Sequence, residues 1–425
     1  MVFGATSLVG LRIWPALASA GIMLLTGLMV RQLGGGRFAQ GLGALCILIS
    51  PTFLMTGVMF QAVPYDQLFW VLAIYFIVLL LKTDDPRCWL GIGAAIGLGM
   101  MTKYTMLFFG ISLTVGILLT SARRYLRSPW LWAGVGVALL IMLPNILWQF
   151  NHDWISLDYT HSINERDIER GRADGFLPEQ FLNMNFLTLP IVLAGLYFYF
   201  SSQGKRYRVL GWVFVVALAV FLVMKGRFYY LAPAYPMLLA AGAVVTEQHF
   251  KYKRPLVVAL VIAGLLMVAP SLPVVPVDSD LWKDIVELND SFPEMIGWEE
   301  LVETVAGVRD TLPPGEKVAI FAANYGEAGA INLYGERYDL PEAISPVNTH
   351  RYWSEGRLDA DVYIVLGISQ SGAENWFNEV ASAARITNRY DVENEETQKY
   401  PVIFVCRSPK IPLSQMWDDL DEWFG

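Results

Sequence analysis

Lys225-Gly226-Arg227-Phe228-Tyr229-Tyr230-Leu231-Ala232-Pro233-Ala234-Tyr235-Pro236 sets two cations and three tyrosines between two apolar segments, 209–224 and 231–246. One membrane helix ends before this stretch and the next begins inside it. A cation at that depth is costly unless it meets an anionic partner. Tyrosine suits the interface because its ring is apolar and its hydroxyl is wet. Two readings follow. The stretch is either a turn that holds the phosphate of a lipid-linked substrate, or an ordinary interfacial anchor of snorkelling cations and belt aromatics.

Working outward, the 425 residues are 55% hydrophobic and 16% charged, with a mean hydropathy of +0.42. A soluble domain carries about 25% charged residues. The deficit lies before residue 272, so the sequence predicts a polytopic α-helical membrane domain over 1–272 and a small α/β domain over 273–425. The net charge of −8 comes with no basic stripe, which argues against nucleic acid as a partner. Cys46, Cys88 and Cys406 are too scattered to form a disulfide framework. Residues 1–10 lack the basic start of a signal peptide.

Ten apolar segments can be placed: 13–30, 38–60, 67–82, 88–101, 105–121, 130–149, 186–201, 209–224, 231–246 and 255–272. Most approach the ~20 residues a bilayer span needs. The glycines within 88–101 suit close helix packing. Alternate loops are basic: Arg31 and Arg37; Lys82 and Arg87; Arg123, Arg124 and Arg127; Lys205, Arg206 and Arg208; Lys251, Lys253 and Arg254. Short basic loops face the cytoplasm. The other loops, including 150–185 and the Lys225–Pro236 stretch, then face outward, as does everything after 272. Ten spans with an outward C-terminus leave the N-terminus outward too, a parity that one further helix ahead of Met1 would repair. Loop 150–185 carries Asp153, Asp158, Glu165, Asp167, Glu169, Asp174 and Glu179 against Arg166, Arg170 and Arg172. It reads as a solvated charged face.

Beyond 272, Lys317–Ala322, Asp361–Leu366 and Pro401–Cys406 read as strands, with 384–390 as a weaker candidate. Tyr325–Tyr334 and Glu374–Ala384 read as helices. Short strands alternating with helices predict a small α/β sheet. No glycine-rich phosphate loop follows the first strand.

Site candidates are polar residues at the outward face. Asp66 opens a span, either as a helix N-cap or as a site carboxylate. Lys103, beside Tyr104, either snorkels or shares an anion with Lys225 and Arg227. Arginine supplies a planar fork and lysine a point charge. A divalent metal ion held by Asp66 and a loop carboxylate is a further candidate. His152, His161, His249 and His350 form no ligand spacing.

Several stretches, taken in order, carry a resemblance. They are Arg31-Gln32-Leu33-Gly34-Gly35-Gly36-Arg37, Tyr65-Asp66-Gln67-Leu68-Phe69-Trp70, Gly97-Leu98-Gly99-Met100-Met101-Thr102-Lys103-Tyr104, Arg127-Ser128-Pro129-Trp130-Leu131-Trp132, Leu143-Pro144-Asn145-Ile146-Leu147-Trp148-Gln149 and Lys225 to Pro236. Tyr325-Gly326-Glu327-Ala328-Gly329-Ala330 and Asn348 to Trp353 join them. Together they resemble the bacterial members of glycosyltransferase family 39, the protein mannosyltransferase and aminoarabinose transferase superfamily with the GT-C fold.

The resemblance implies transfer of a sugar from a polyprenyl-phosphate carrier to a glycan, lipid or protein acceptor at the outer face of a bacterial cytoplasmic (inner) membrane. It implies that Asp66 lies near the donor or a metal. Lys103, Lys225 and Arg227 would hold the lipid phosphate, and Tyr229 and Tyr230 would line that cavity. Family members also begin with a further helix and an outward loop bearing an Asp-Glu pair, whose aspartate is the base. No Asp or Glu precedes Asp66, and Met1 to Trp14 resembles the tail of that loop. The expectation is a shortened N-terminus, and a chain without its base is slower by about 10²–10⁴. The rival readings are a polytopic transporter or lipid flippase, and a non-catalytic partner subunit. The sequence shows no convincing internal repeat of the kind a transporter carries.

Overall fold

The computed structural model describes residues 7–171, 175–417 and 420. Arg172 and Asp174 of the charged loop, and the first six residues of the Met1–Trp14 stretch, lie outside the described residues. The chain forms two compact units, residues 9–274 and the residues from 275 onward.

The first unit is helical throughout its described residues. In order it contains α1 Leu8–Gln32, α2 Arg37–Leu48, α3 Pro51–Thr56, α4 Ala62–Thr83, α5 Cys88–Thr102, α6 Met106–Leu118, α7 Pro129–Phe150, α8 Ile155–Glu169, α9 Phe176–Asn183, α10 Leu189–Phe200, α11 Arg208–Val223, α12 Tyr235–His249 and α13 Lys253–Ser271. Each of the ten apolar segments is helical. Among the described residues six stretches are long and apolar enough to cross a bilayer, and eight if two bent pairs each count as one span; α2 and α5 are shorter. The stretch 38–60 is not one continuous helix. It breaks at Ser50, which is extended (ψ 120°) ahead of Pro51. Proline lacks the N–H that would continue the helix, and it pushes its predecessor out of the helical region.

Helices approach closely where glycine removes a side chain. A Cβ at Gly93 (α5) would sit 2.0 Å from the Gly134 carbonyl oxygen on α7. A Cβ at Gly242 (α12) would sit 1.8 Å from the Ile191 carbonyl on α10, and one at Gly195 1.9 Å from the Leu238 carbonyl. These contacts are the small-residue packing of membrane helices. Residues 235–244 of α12 are all buried, which makes that helix the centre of the unit.

The basic loops share one end. Asp84 accepts from the Tyr125 hydroxyl at 2.7 Å and pairs with Arg124 and Arg206, while Lys82 Nζ donates to Gln32 at 3.0 Å. Glu247 accepts from the Gly36 and Ala39 amides at the start of α2. Asp66 lies on α4 about 27 Å from Asp84, at 1.5 Å per residue. The charged and aromatic residues around Lys103 and Arg227 gather near Asp66.

The second unit contains α14 Asp280–Leu288, α15 Trp298–Asp310, β1 Val318–Ala322, α16 Tyr325–Tyr334, α17 His350–Trp353, β2 Val362–Leu366, α18 Gln370–Trp376, β3 Phe377–Arg385, α19 Glu395–Gln398 and β4 Val402–Pro409. The sheet runs β1-β2-β4-β3. β1 and β2 are parallel (Val318 opposite Val362), and β4 is antiparallel to both neighbours (Tyr363 opposite Cys406, Val380 opposite Cys406). The expected helix over 374–384 is mostly strand, and the weaker strand candidate 384–390 holds only its first two residues in β3. Alanines and a glutamate favour helix, but β3 is an edge strand whose ladder with β4 overrides that preference. It carries a register shift between Ser382 and Ala384.

Asn324 caps α16, accepting from the Glu327 amide at 2.8 Å, and the Glu327 carboxylate reaches back to the Asn324 amide. Glu327 is 1% exposed and lies against Gly367, where φ is +81° and a Cβ would meet the carboxylate at 2.4 Å. Burial, and next the neighbouring Glu396, push the Glu327 carboxyl up from 4.5 to about 8. Burial also raises Glu396 and Glu294. Between those two pH values the folded domain keeps a proton that the unfolded chain has released. Its stability therefore falls as pH rises from 4.5 to about 8 and levels off above. At about 1.4 kcal/mol per unit, the Glu327 share is several kcal/mol. Amide exchange at β1 and β2 in the full chain should lose protection over this range. Glu327→Gln should flatten the profile and leave the domain better protected at the alkaline end.

Candidate active site

The turn after α11 is built by its backbone. Gly226 N–H returns to the Phe221 carbonyl at 2.9 Å, and Lys225 takes the left-handed conformation (φ +51°) that ends helices. Single turns of tight helix follow over Phe228–Tyr230 and Ala232–Ala234 before α12 begins. The turn is clamped by α9. Buried Gln180 donates to the Phe228 carbonyl at 2.9 Å and accepts from the Tyr235 hydroxyl at 3.1 Å.

Lys103 ends α5 in an extended conformation. Its Nζ lies over the Tyr230 ring at 4.3 Å and the Tyr229 ring at 4.9 Å from the centroids. The two rings meet edge to face at 5.0 Å. A desolvated ammonium over two π-faces is held by their quadrupoles. Tyr229, Asp66 and Arg227 are all close enough to act on its charge. Arg227 donates from Nε to Asp167 Oδ2 at 2.5 Å, from Nη2 to Asp167 Oδ1 at 2.9 Å and from Nη1 to the Tyr229 hydroxyl at 3.3 Å. Next to Lys103, the Tyr104 hydroxyl donates to Asn145 and accepts from Gln149, both at 3.0 Å.

Asp66 is not a cap. The N-cap of α4 is Gln61, and Asp66 lies inside the helix, 4% exposed. A cap needs a non-helical backbone at the helix boundary, and Asp66 sits one turn too late. Its Oδ2 accepts from the Thr105 hydroxyl at 2.8 Å. Its other oxygen has the Trp70 indole N–H, one turn along, as its neighbouring donor, and neither finds a further partner among the described residues.

Lys103, Arg227, Tyr229 and Tyr230 thus come together, with Asp66 at their side. Lys225 is exposed, and its side chain makes no hydrogen bond or ion pair among the described residues. Asp167, expected on a solvated face, is buried against Arg227 instead. Gln180, Thr105 and Gln149 also went unseen in the sequence, where nothing sets them apart from other polar loop residues. Around the metal candidate, Asp66 with a loop carboxylate, no group of three His, Cys, Asp or Glu gathers among the described residues.

Residues 1–148 match a family described as dolichyl-phosphate-mannose-protein mannosyltransferase. That match holds Asp66, Lys103 and Tyr104 and stops short of Arg227. The similarity in sequence to that family therefore covers about the first third of the chain. Two solved structures carry the fold. ArnT from Cupriavidus metallidurans bound to undecaprenyl phosphate is 11% identical with a TM-score of 0.56, covering 93% of this chain and 83% of ArnT. The same protein in the apo state is 12% identical with a TM-score of 0.52 and the same coverage. No curated protein matches the sequence.

Proposed function

We propose that this chain is a membrane glycosyltransferase that moves a sugar from a polyprenyl-phosphate carrier to a hydroxyl acceptor at the outer face of a bacterial cytoplasmic membrane. The observation that carries this reading is the meeting of Lys103 and Arg227 at one tyrosine-lined place, at the end of the bundle away from the basic loops. The reaction is a single inverting displacement. The acceptor oxygen bonds to the anomeric carbon as the bond from that carbon to the phosphate oxygen breaks. The acceptor proton passes to a carboxylate, and Asp66 is the described carboxylate nearest in role, held beside Lys103 by Thr105. Polyprenyl phosphate leaves with its charge met by Lys103 and Arg227, where preorganised cations count most. The similarity to an ArnT bound to undecaprenyl phosphate supports the carrier class. A transporter would hold its charges near mid-membrane, whereas these lie at the ends of α4, α5 and α11.

Full-length protein in nanodiscs tests the reading with labelled undecaprenyl phosphate and with undecaprenol, which lacks the phosphate. Saturable binding of the phosphate, weakened at least tenfold by Lys103→Ala, is the expected result. Equal retention of both lipids overturns the reading.

A further inference from the structure

Arg166 departs from the other charges of loop 150–185. Helical spacing sets Ile155, Ser156, Ile163, Arg166 and Asp167 of α8 on one enclosed face, while the remaining residues from 157 to 169 are exposed. The Arg166 Nε is shut away from water and has no hydrogen-bond partner. Among the described residues no carboxylate stands at ion-pair distance from this side chain. Arg208 also has a lone Nε, but its Nη2 donates to the Phe200 carbonyl at 3.2 Å. An enclosed charge without an acceptor is costly, and such a group asks for an anion.

Its place in the fold says which anion. Adjacent Cα atoms lie about 3.8 Å apart, so Arg166 starts beside Asp167, which accepts from Arg227 Nε at 2.5 Å and Nη2 at 2.9 Å. An arginine has five donors in a fixed plane. Arg227 directs one edge at Asp167 and one Nη1 donor at the Tyr229 hydroxyl, which leaves the end of its fork for a second anion. Tyr229 lies beneath Lys103. Each of these two cations has a carboxylate at hand, Asp167 for Arg227 and Asp66 for Lys103. Arg166 has none among the described residues, so its charge is the one left to be met from outside the chain. The proposed displacement supplies that charge. It turns a singly charged phosphodiester into a monoester that carries about 1.5–2 negative charges near neutral pH. A cation already in place counts most where charge develops.

Resting on the reading of a polyprenyl-phosphate donor, we propose that Arg166 is a further phosphate-binding residue, the third cation on the carrier phosphate beside Lys103 and Arg227. The rival source of the same chemistry is a phospholipid head group, which would make Arg166 an interfacial anchor.

The test uses full-length protein in phosphatidylcholine nanodiscs, titrated with undecaprenyl phosphate and with undecaprenol. Thermal midpoints are read with and without each lipid. The proposal predicts that Arg166→Gln binds undecaprenyl phosphate at least tenfold more weakly. Its midpoint without the lipid should be unchanged or raised, because the lone charge is gone, and the rise on adding the lipid should shrink. Arg166→Lys keeps the charge without the planar fork and should lose less. Carrier binding equal to wild type in Arg166→Gln overturns the proposal and leaves Arg166 on a head group. A loss of binding that follows a lowered midpoint, and that Arg166→Lys does not rescue, is a structural effect and overturns it too. Failure of Arg166→Gln to fold contradicts it outright, since removal of an unmet charge should not cost stability. Wild-type protein that binds undecaprenol as well as undecaprenyl phosphate brings down the donor reading itself, a failure distinct from selective wild-type binding that Arg166→Gln leaves intact.

Discussion

Arg227→Ala should weaken undecaprenyl phosphate binding by about a hundredfold and destabilise the membrane unit in the same step. A hydrogen bond to a charged group contributes about 1.5–3 kcal/mol, and the free end of the fork can offer two to a phosphate. The stability cost has a separate source. Asp167 is buried, and taking away Arg227 removes two charge-assisted hydrogen bonds from it, at about 1.5–3 kcal/mol each. The two effects can be separated. Arg227→Ala combined with Asp167→Asn also removes the buried charge that those bonds met, so it should recover part of the thermal stability and none of the binding. Arg227→Lys should fall between, because one ammonium cannot serve the carboxylate edge and the phosphate with fixed geometry. Equilibrium binding and thermal unfolding of the same preparations check both effects.

Gly242→Ala should be the most damaging of the small substitutions in the helical unit. The added methyl would stand 1.8 Å from the Ile191 carbonyl and 2.7 Å from its carbon, which are backbone atoms that no rotamer change can move. Carbon contacts settle near 3.5–4.0 Å, so α10 and α12 must part by more than an ångström. Over-packing typically costs about 1–3 kcal/mol, and the upper end applies where backbone meets backbone. α12 begins at Tyr235, whose hydroxyl holds Gln180, so the separation reaches the Arg227 turn as well. Gly136→Ala is the control. It lies on α7 with nothing near the added methyl, and it should leave the unfolding midpoint unchanged or slightly raised. Thermal unfolding in detergent checks the pair.

Much of the helical layout was legible because hydropathy and loop charge are long-range patterns that many residues share. All ten apolar segments are helical, 38–60 with a break at Ser50, and the basic loops do gather at one end through Asp84, Arg124 and Arg206. Single residues misled where the deciding partner is distant in sequence. Asp66 reads equally as a cap or a site carboxylate because it opens an apolar run, but the N-cap of the helix is Gln61, five residues earlier. Asp167 sat among six similar acids, and only the folded chain brings α8 to Arg227. The stretch 374–384 contains good helix formers, yet pairing with β4 sets its conformation. Pro51 carries a local signal for the break in 38–60, which the apolar run around it hides. Lys225 and Arg227 were equal in sequence. The left-handed turn at Lys225 separates them, leaving one cation exposed and the other half-enclosed.

The central claim is that Lys103 and Arg227 grip a lipid phosphate together. Solid-state NMR measures this directly, as dipolar coupling between the phosphorus of bound undecaprenyl phosphate and nitrogen-15 placed in lysine and arginine side chains. The account predicts strong dephasing from one ammonium and one guanidinium, each signal vanishing in Lys103→Ala or Arg227→Ala respectively. Bound lipid whose phosphorus couples to neither side chain would contradict it.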